Sequence, residues 1–391
     1  MSARDAARRL AEAYRDSGAL WTASLVADRV LPLGTMRFWK DVHVPLAELR
    51  AQVDAILAAW GMAAEARATT LEHLLYADLH GIDSHGSAML RAYQREHTAG
   101  QWRADAAPSV VQESDTTALV DGGGGLGHVP ADTAMRLAMQ KAAQHGVAAV
   151  AVRNSGHFGA AGSYAALAAR DGMIGIATTG TRVPSLVPTA SRDAALGTNP
   201  IAFAAPVSGA QPFLLDMATS TAPLGRLGLA AHRGRPIPHG WALDPEGRPE
   251  TNARRAIEAR RLTPLGGSLL HGSHKGYGLA TMVEILSAVL PGTFRANPVA
   301  GDVPRVGHFF LCLDPRRFRG ADAFASDLGG LADRLRALPP VDPDVPVQVA
   351  GDPEYAIAAR RTREGIPFER SVVEDIRHVA RAAGAPFLLR A

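Results

Sequence analysis

The sequence predicts an α/β protein whose helical part is assembled from both ends of the chain. Three observations lead there. Apolar residues recur at helical spacing between Val44 and His97. Strand-like and helix-like segments then alternate from Thr116 to Leu313, and helical spacing returns from Tyr355 to Ala383. Such alternation builds a sheet with helices packed on it. A chain of 391 residues is also long for one core, so more than one domain is expected.

Residues 1–40 read as an N-terminal extension, with an amphipathic turn or two at Ala6–Tyr14 and then a mixed, Pro-containing stretch. Helices are expected over Val44–Leu57, Glu65–Leu79 and Ser84–His97, with Gly61 as a breaker, which makes 41–115 a helical domain. Residues 116–335 form the α/β domain. Its expected strands are Thr116–Asp121, Gly146–Arg153, Met173–Thr179, Ile201–Ala205, Phe213–Asp216 and His308–Leu313. Its expected helices are Pro130–His145, Ala161–Arg170 and Gly276–Leu290. Residues 337–350 are rich in Pro, Asp and Val and read as a linker or crossing segment. Helices over Tyr355–Glu364 and Ser371–Ala383 make 336–391 a segment that returns to the helical domain.

Composition narrows the function. Hydrophobic residues at 47% and charged residues at 20% are globular values. The net charge of +3 comes without a long basic block, so no nucleic-acid partner is expected. No apolar stretch reaches about 18 residues, and no secretory leader pattern is seen, so a cytoplasmic chain without a membrane span is expected. Cys312 is the single cysteine, in an apolar run, which predicts a buried thiol and excludes an intrachain disulfide or a thiolate metal cluster. Only Lys40, Lys141 and Lys275 are lysines among 41 basic residues, so a lysine inside a glycine-rich motif carries information.

The run Gly122–Gly127 satisfies G-x-G-x-x-G between a strand and a helix. A Rossmann site also needs an acidic residue ending the next strand to hold a ribose. That strand ends in Arg153 and Asn154, and Pro130 delays the helix. The run therefore reads as a glycine turn that lets backbone approach a ligand or another strand.

Four other segments carry chemistry. In His80-Gly-Ile-Asp-Ser-His-Gly86, Asp83 or Ser84 is expected to cap the following helix. At about 100° per residue, His85, Met89 and Tyr93 would then share one face. His85 is suited to exchange a proton with an alkoxide; the bland alternative is a capping turn with two surface histidines. A helix start disfavours imidazolium, so its protonation would call for a nearby carboxylate. In Arg153-Asn-Ser-Gly-His-Phe-Gly-Ala-Ala-Gly162, His157 lies between a strand and a helix, where it either faces a ligand or satisfies backbone. In Gly197-Thr-Asn-Pro200 with Phe213–Ser220, Asp216 ends a strand, where it can bind ribose hydroxyls, orient a histidine or simply make a turn. In Gly272-Ser-His-Lys-Gly-Tyr-Gly278, Lys275 opens a helix, which suits a cofactor phosphate; a flexible helix entry is the alternative.

Taken together, HGIDSHG, NSGHFGAAG, GTNPIAFAAP, LLDMATS and HKGYGLATMVEIL resemble the type-2 malate/L-lactate dehydrogenase family over roughly residues 43–385. That family includes ureidoglycolate, sulfolactate and diketogulonate enzymes and the piperideine/pyrroline-carboxylate reductases. The resemblance implies a family-specific, non-Rossmann NAD(P)-binding α/β domain, a small-molecule substrate, NAD or NADP as cofactor, and a homodimer or larger assembly. By matching motif it implies His85 as catalytic acid/base, with Ser84 beside it and His157 as a second active-site histidine. It implies cofactor contacts at Asp216, Met217, Ala218, Lys275, Gly276, Gly351 and Asp352. No metal is implied.

Three departures stand out. The family usually places Arg four residues after the catalytic His, to grip the substrate carboxylate, and here that residue is Met89. Arg91 would point about 120° away on a helix, which leaves Arg182, Arg226 or another side chain for the task, or a substrate lacking that carboxylate. Tyr93 and Arg182 are the expected substrate contacts. Ser268–Ser273 is an added loop before the Lys motif, and the N-terminal extension is also extra. Two rival readings remain. One is a metal hydrolase built on His80, Asp83, His85 and His157. The other is a catalytically idle relative used in assembly.

Overall fold

A computed structural model describes residues 42–390 apart from 233, 295–302 and 304. The expected extension over residues 1–40 lies outside the described residues. Strand β1 (Val42–Val44) leads into helices α1 (Leu46–Ala59), α2 (Ala64–Leu79) and α3 (Leu90–Thr98). Strands β2 (Ser109–Glu113) and β3 (Thr117–Asp121), helix α4 (His128–His145), β4 (Val147–Ser155), α5 (Gly162–Arg170), β5 (Ile174–Thr179), β6 (Ile201–Ala205) and β7 (Phe213–Met217) follow. Next come α6 (Leu224–His232), β8 (Ala242–Leu243), β9 (Pro249–Glu250), α7 (Ala253–Ala259), α8 (Ser273–Glu284) and β10 (Val306–Leu313). The chain ends with α9 (Ala321–Arg336), α10 (Asp352–Glu364), β11 (Ile366–Phe368) and α11 (Arg370–Ala383). Helices α6, α7 and α9 are not among the expected ones.

Seven strands form one sheet in the order β2-β3-β4-β10-β5-β6-β7. Only β3 and β4 run parallel; the other pairs are antiparallel. Strand β10 arrives late in the chain and inserts between β4 and β5. The sheet is thus α/β in content without the all-parallel order of a doubly wound fold. Its core combines Val120, Val150, Val152 and Phe310 from strands with Met135, Tyr164 and Leu167 from α4 and α5. Burying one such side chain contributes about 1.5–3 kcal/mol. Cys312 is fully buried on β10, its Sγ 3.5 Å from Met173 Sδ. Helix α4 starts two residues before the expected Pro130, which is tolerated because the first turn needs no internal N–H bond. It stops at Gly146, where φ is 88°.

A second core joins the chain ends. Leu49, Val53, Ile56 and Leu57 of α1 pack with Leu74 and Leu75 of α2 and with Val373, Ile376 and Val379 of α11. Strand β11 pairs antiparallel with β1, and the Gln52 amide bonds Pro386 C=O at 3.0 Å. A third, smaller core gathers Ala222, Leu227, Ile237, Ala242, Ala256 and Leu262 around α6 and α7. It has no counterpart in the sequence reading, because its strands are only two residues long.

The glycine run has a structural task. Gly122, Gly124 and Gly127 donate N–H bonds to the carbonyls of Arg153, Asn154 and His157. A Cβ on Gly127 would lie 2.4 Å from Gly156 C=O. The glycines thus let this turn press on the His157 loop, and a side chain would push it away.

Candidate active site

The turn between α2 and α3 carries Ser84 and His85, and it is held from beneath. The Asp78 carboxylate, fully buried at the end of α2, accepts the Ser87 N–H with both oxygens at 3.0 Å and the Ser87 hydroxyl at 2.5 Å. A Cβ on Gly86 would lie 2.0 Å from Asp78 Oδ1, so only glycine fits there. Burial pushes the Asp78 carboxyl up to about 7, against the lowering effect of the Ser87 bonds. Arg361 of α10 donates to Asp78 C=O and to the Asp83 carboxylate, tying the returning C-terminal segment to the same turn.

This corrects two expectations. The helix does not begin at Ser84: a short 3₁₀ turn spans Ser87–Met89 and α3 starts at Leu90. The free N–H of Ser87 is taken by Asp78, while Asp83 pairs with Arg361 and Ser84 turns to its neighbour. His85, Met89 and Tyr93 therefore share no helix face; Met89 packs against the helical core.

The Ser84 hydroxyl lies 2.8 Å from His85 Nδ1. The His85 ring stacks on His157, with centroids 5.4 Å apart and planes at 30°. Tyr93 is fully buried, and its hydroxyl lies 2.7 Å from His157 Nδ1, which also accepts the Gly159 N–H at 3.3 Å. Two donors on Nδ1 leave the ring proton on Nε2. Tyr93, expected to meet substrate, thus gives its hydroxyl to His157. Burial lowers the His85 imidazole from its usual range. Burial, with help from His85, His308 and Arg182, pushes His157 down to about 3. Among the described residues no carboxylate bonds to His85, so both imidazoles are neutral near pH 7.

Arg182 follows β5 and reaches the same place. Its Nη1 lies 2.8 Å from Glu96 Oε2 on α3. A Cβ on Gly156 would lie 3.1 Å from Arg182 Nη2. The glycine of the GTNP motif lets this loop dock, since a Cβ on Gly197 would lie 1.8 Å from Thr181 Oγ1. Across the turn, a Cβ on Gly225 would lie 3.3 Å from Ser84 Cβ, which sets the start of α6, where Arg226 follows, against Ser84.

The segment after His157 leads to Asp216. Its carboxylate accepts the Gly162 N–H at 2.8 Å at the start of α5. Burial, with the Glu354 charge adding, raises the Asp216 carboxyl to about 6. Leu214 N donates to Ala350 C=O, which brings Gly351 alongside β7. Glu354 Oε2 is buried there, with no hydrogen-bond partner among the described residues. Asp352 is held bidentately by Arg336 and by the Val349 N–H. Beyond Met217 and Ala218, Leu265 N donates to Thr219 C=O, and Gly276 packs on Leu265, where a Cβ would lie 2.4 Å from backbone. Lys275 opens α8 exposed, and among the described residues its ammonium has no partner.

The metal-ligand set does not converge. His80 stacks on Tyr76 at 3.9 Å and its Nδ1 bonds Tyr76 C=O, while Asp83 is paired to Arg361. Sequence reasoning missed Asp78, Glu96, Glu354 and Arg361. The one available signal for Glu96 was its place three residues after Tyr93 on the same helical face.

A sequence profile described as malate/L-lactate dehydrogenase matches residues 44–377. The chain is 36% identical over 347 residues to a malate dehydrogenase of Pyrococcus abyssi, covering 88% of this chain and 95% of that one. It is 34% identical over 334 residues to an L-sulfolactate dehydrogenase of Methanothermobacter thermautotrophicus, covering 84% and 94%. The crystal structure of malate dehydrogenase from Entamoeba histolytica superposes with a TM-score of 0.84 at 31% identity, covering 89% of this chain and 99% of that one. This chain belongs to the malate/L-lactate dehydrogenase family and is an NAD(P)-dependent hydroxy-acid dehydrogenase acting on a CH–OH group.

Proposed function

We propose that the chain interconverts a small 2-hydroxy acid and its 2-oxo acid, or a related cyclic imino acid, with His85 as acid/base. The observation that carries this reading is the Ser84–His85–His157–Tyr93 arrangement, in which one imidazole is partly exposed and every neighbour orients it. Ser84 Oγ either donates to His85 Nδ1 or accepts from it. Nδ1 can therefore stay bonded while Nε2 takes a proton from the substrate oxygen or returns it. Tyr93 and Gly159 fix the second ring, whose Nε2–H can donate to the same oxygen or to the substrate's polar tail.

The residues fit a nicotinamide dinucleotide. The unpartnered Glu354 Oε2 beside Asp216 is an acceptor awaiting a hydroxyl donor, as a ribose offers. Lys275 at a helix start suits a phosphate. Asp216, Met217, Ala218, Lys275, Gly276, Gly351 and Asp352 would line that binding surface, for NAD or NADP. Bound there, the nicotinamide supplies or takes up the hydride. The assembly we propose is a homodimer. An exposed apolar stripe of Met282, Ile285, Val289, Leu290 and Phe294 on and after α8 supports a second copy as partner. Among the described residues no helix is long and apolar enough to cross a membrane. With one buried, unpaired cysteine, we assign the chain to the cytoplasm. Residues 41–115 with 336–391, and 116–335, are the proposed domains.

The test is NAD(P)H oxidation against a panel of 2-oxo acids and cyclic imines. Wild type should turn over at least one. His85→Ala should lower turnover by roughly two to four decades while NAD(P)H still binds; undiminished turnover would remove His85 from the role.

A further inference from the structure

Arg182 presents an unfinished set of bonds. Its guanidinium is nearly covered, with 14% of the side chain exposed. Nη1 is taken by Glu96, yet among the described residues the buried Nε and Nη2 have no hydrogen-bond partner. Leaving donors of a charged group unpaired inside a protein costs their full desolvation. In folded proteins a ligand, an ion or an ordered water completes such groups. Nε and Nη2 also form one edge of the planar guanidinium, the edge that matches the two oxygens of a carboxylate. Glu96 occupies the remaining corner and so turns that edge toward Gly156 and His157.

From this geometry we infer that Glu96 is a positioning residue: it aims the Nε/Nη2 edge of Arg182 at the substrate carboxylate beside His157. At the start of α3, Met89 packs against the helical core and Arg91 is paired with Asp375. Arg305, the other guanidinium near Arg182, already donates from Nη1 to the carbonyls of Gln101 and Gly124. Among the described residues, Arg226, next to the Gly225 that abuts Ser84, is the cation left to compete. The Glu96 carboxylate accepts from Arg182 and never touches substrate, so its effect runs through Arg182 alone.

The inference rests on the oxidoreductase reading of this site, and the test separates the two. A 2-oxo acid and its neutral methyl ester share the reacting carbonyl and differ in the carboxylate. Pyruvate and methyl pyruvate serve as the pair, or the corresponding acid and ester of whichever acid the panel selects. Arg182→Gln should raise the acid's KM about 100-fold and the ester's less than about threefold, the loss expected for a charged bidentate contact. Glu96→Gln should raise the acid's KM about fivefold to tenfold, leave kcat within about twofold, and leave the ester unchanged. Glu96→Asp should recover part of that loss. Melting curves on each variant report folding. An acid-to-ester preference that survives Arg182→Gln, or that disappears instead in Arg226→Gln, overturns the assignment. Equal losses for acid and ester in Glu96→Gln overturn the positioning role. Failure of the acid/base reading would show differently, as a His85→Ala variant that turns over both compounds like wild type.

Discussion

At the His85 end of the site, Asp78, Ser84, Tyr93 and Arg361 all direct polar atoms at an imidazole or at the turn that carries it. At the Lys275 end, an ammonium stands exposed on a helix start without a partner among the described residues. The contrast fits the roles proposed for the two ends. Proton transfer is sensitive to misplacement on the scale of 1 Å, and the proposed acid/base is held by buried bonds. Phosphate binding is longer-ranged and tolerates an exposed, unpaired charge. Rigid support at one end and an open cation at the other therefore imply different responses to mutation.

The largest effect should come from Gly86→Ala. The added methyl has no space against the Asp78 carboxylate, and that carboxylate is pinned by Ser87. Overpacking should cost about 1–3 kcal/mol of stability, and displacing the turn should lower kcat about 100-fold. Thermal melts and steady-state rates read the two separately. A variant with wild-type kcat would show that the turn is less rigidly specified than the bonds suggest.

Lys275→Ala should weaken NAD(P)H about tenfold to 100-fold and leave kcat at saturation nearly unmoved. Fluorescence titration with the reduced cofactor checks this. A fall in kcat with unaltered affinity would move Lys275 from the open end to the locked one.

A pH profile sharpens the same contrast. Burial lowers the His85 imidazole below 6.5, and on the proposed mechanism reduction needs its protonated form. The kcat/KM for reduction should fall as pH rises through a value below about 6.5, and that for oxidation should rise through the same window. Lys275→Ala should leave this window in place, which measurement of both variants across pH 5–8 would decide.

The smallest effect is on stability. His128 lies well below its usual range, and His157 and His308 are pushed down to about 3. Between pH 7 and 5.5 the unfolded chain protonates these three near 6.5 while the folded chain does not, so stability falls with acid. Asp78, at about 7, and Asp216, at about 6, take up protons in the folded state over the same range and oppose that fall in part. Three groups against two leaves a net loss at pH 5.5, visible as a lower denaturation midpoint.

Much of the site was legible before any coordinates. The histidines, Asp216 and Lys275 stand in short motifs at strand-to-helix or helix-to-turn junctions, where local sequence sets position. The supports were not legible, because each comes from elsewhere in the chain. Asp78 sits in a run that reads only as buried helix, and Arg361 arrives from 278 residues beyond Asp83. The helix expected at Ser84 shows the limit: capping propensity favoured Asp83 or Ser84, and a buried carboxylate from the preceding helix prevailed.

Alone, the sequence determined the α/β class and the rejection of a Rossmann turn and named the candidate groups for chemistry, since these depend on local spacing and residue type. Tertiary structure alone decided that β10 enters between β4 and β5, that Tyr93 holds His157, and that Glu96 leaves one edge of Arg182 open. The physical reason is that such bonds form between atoms far apart in the chain, and no local periodicity encodes which distant partner arrives.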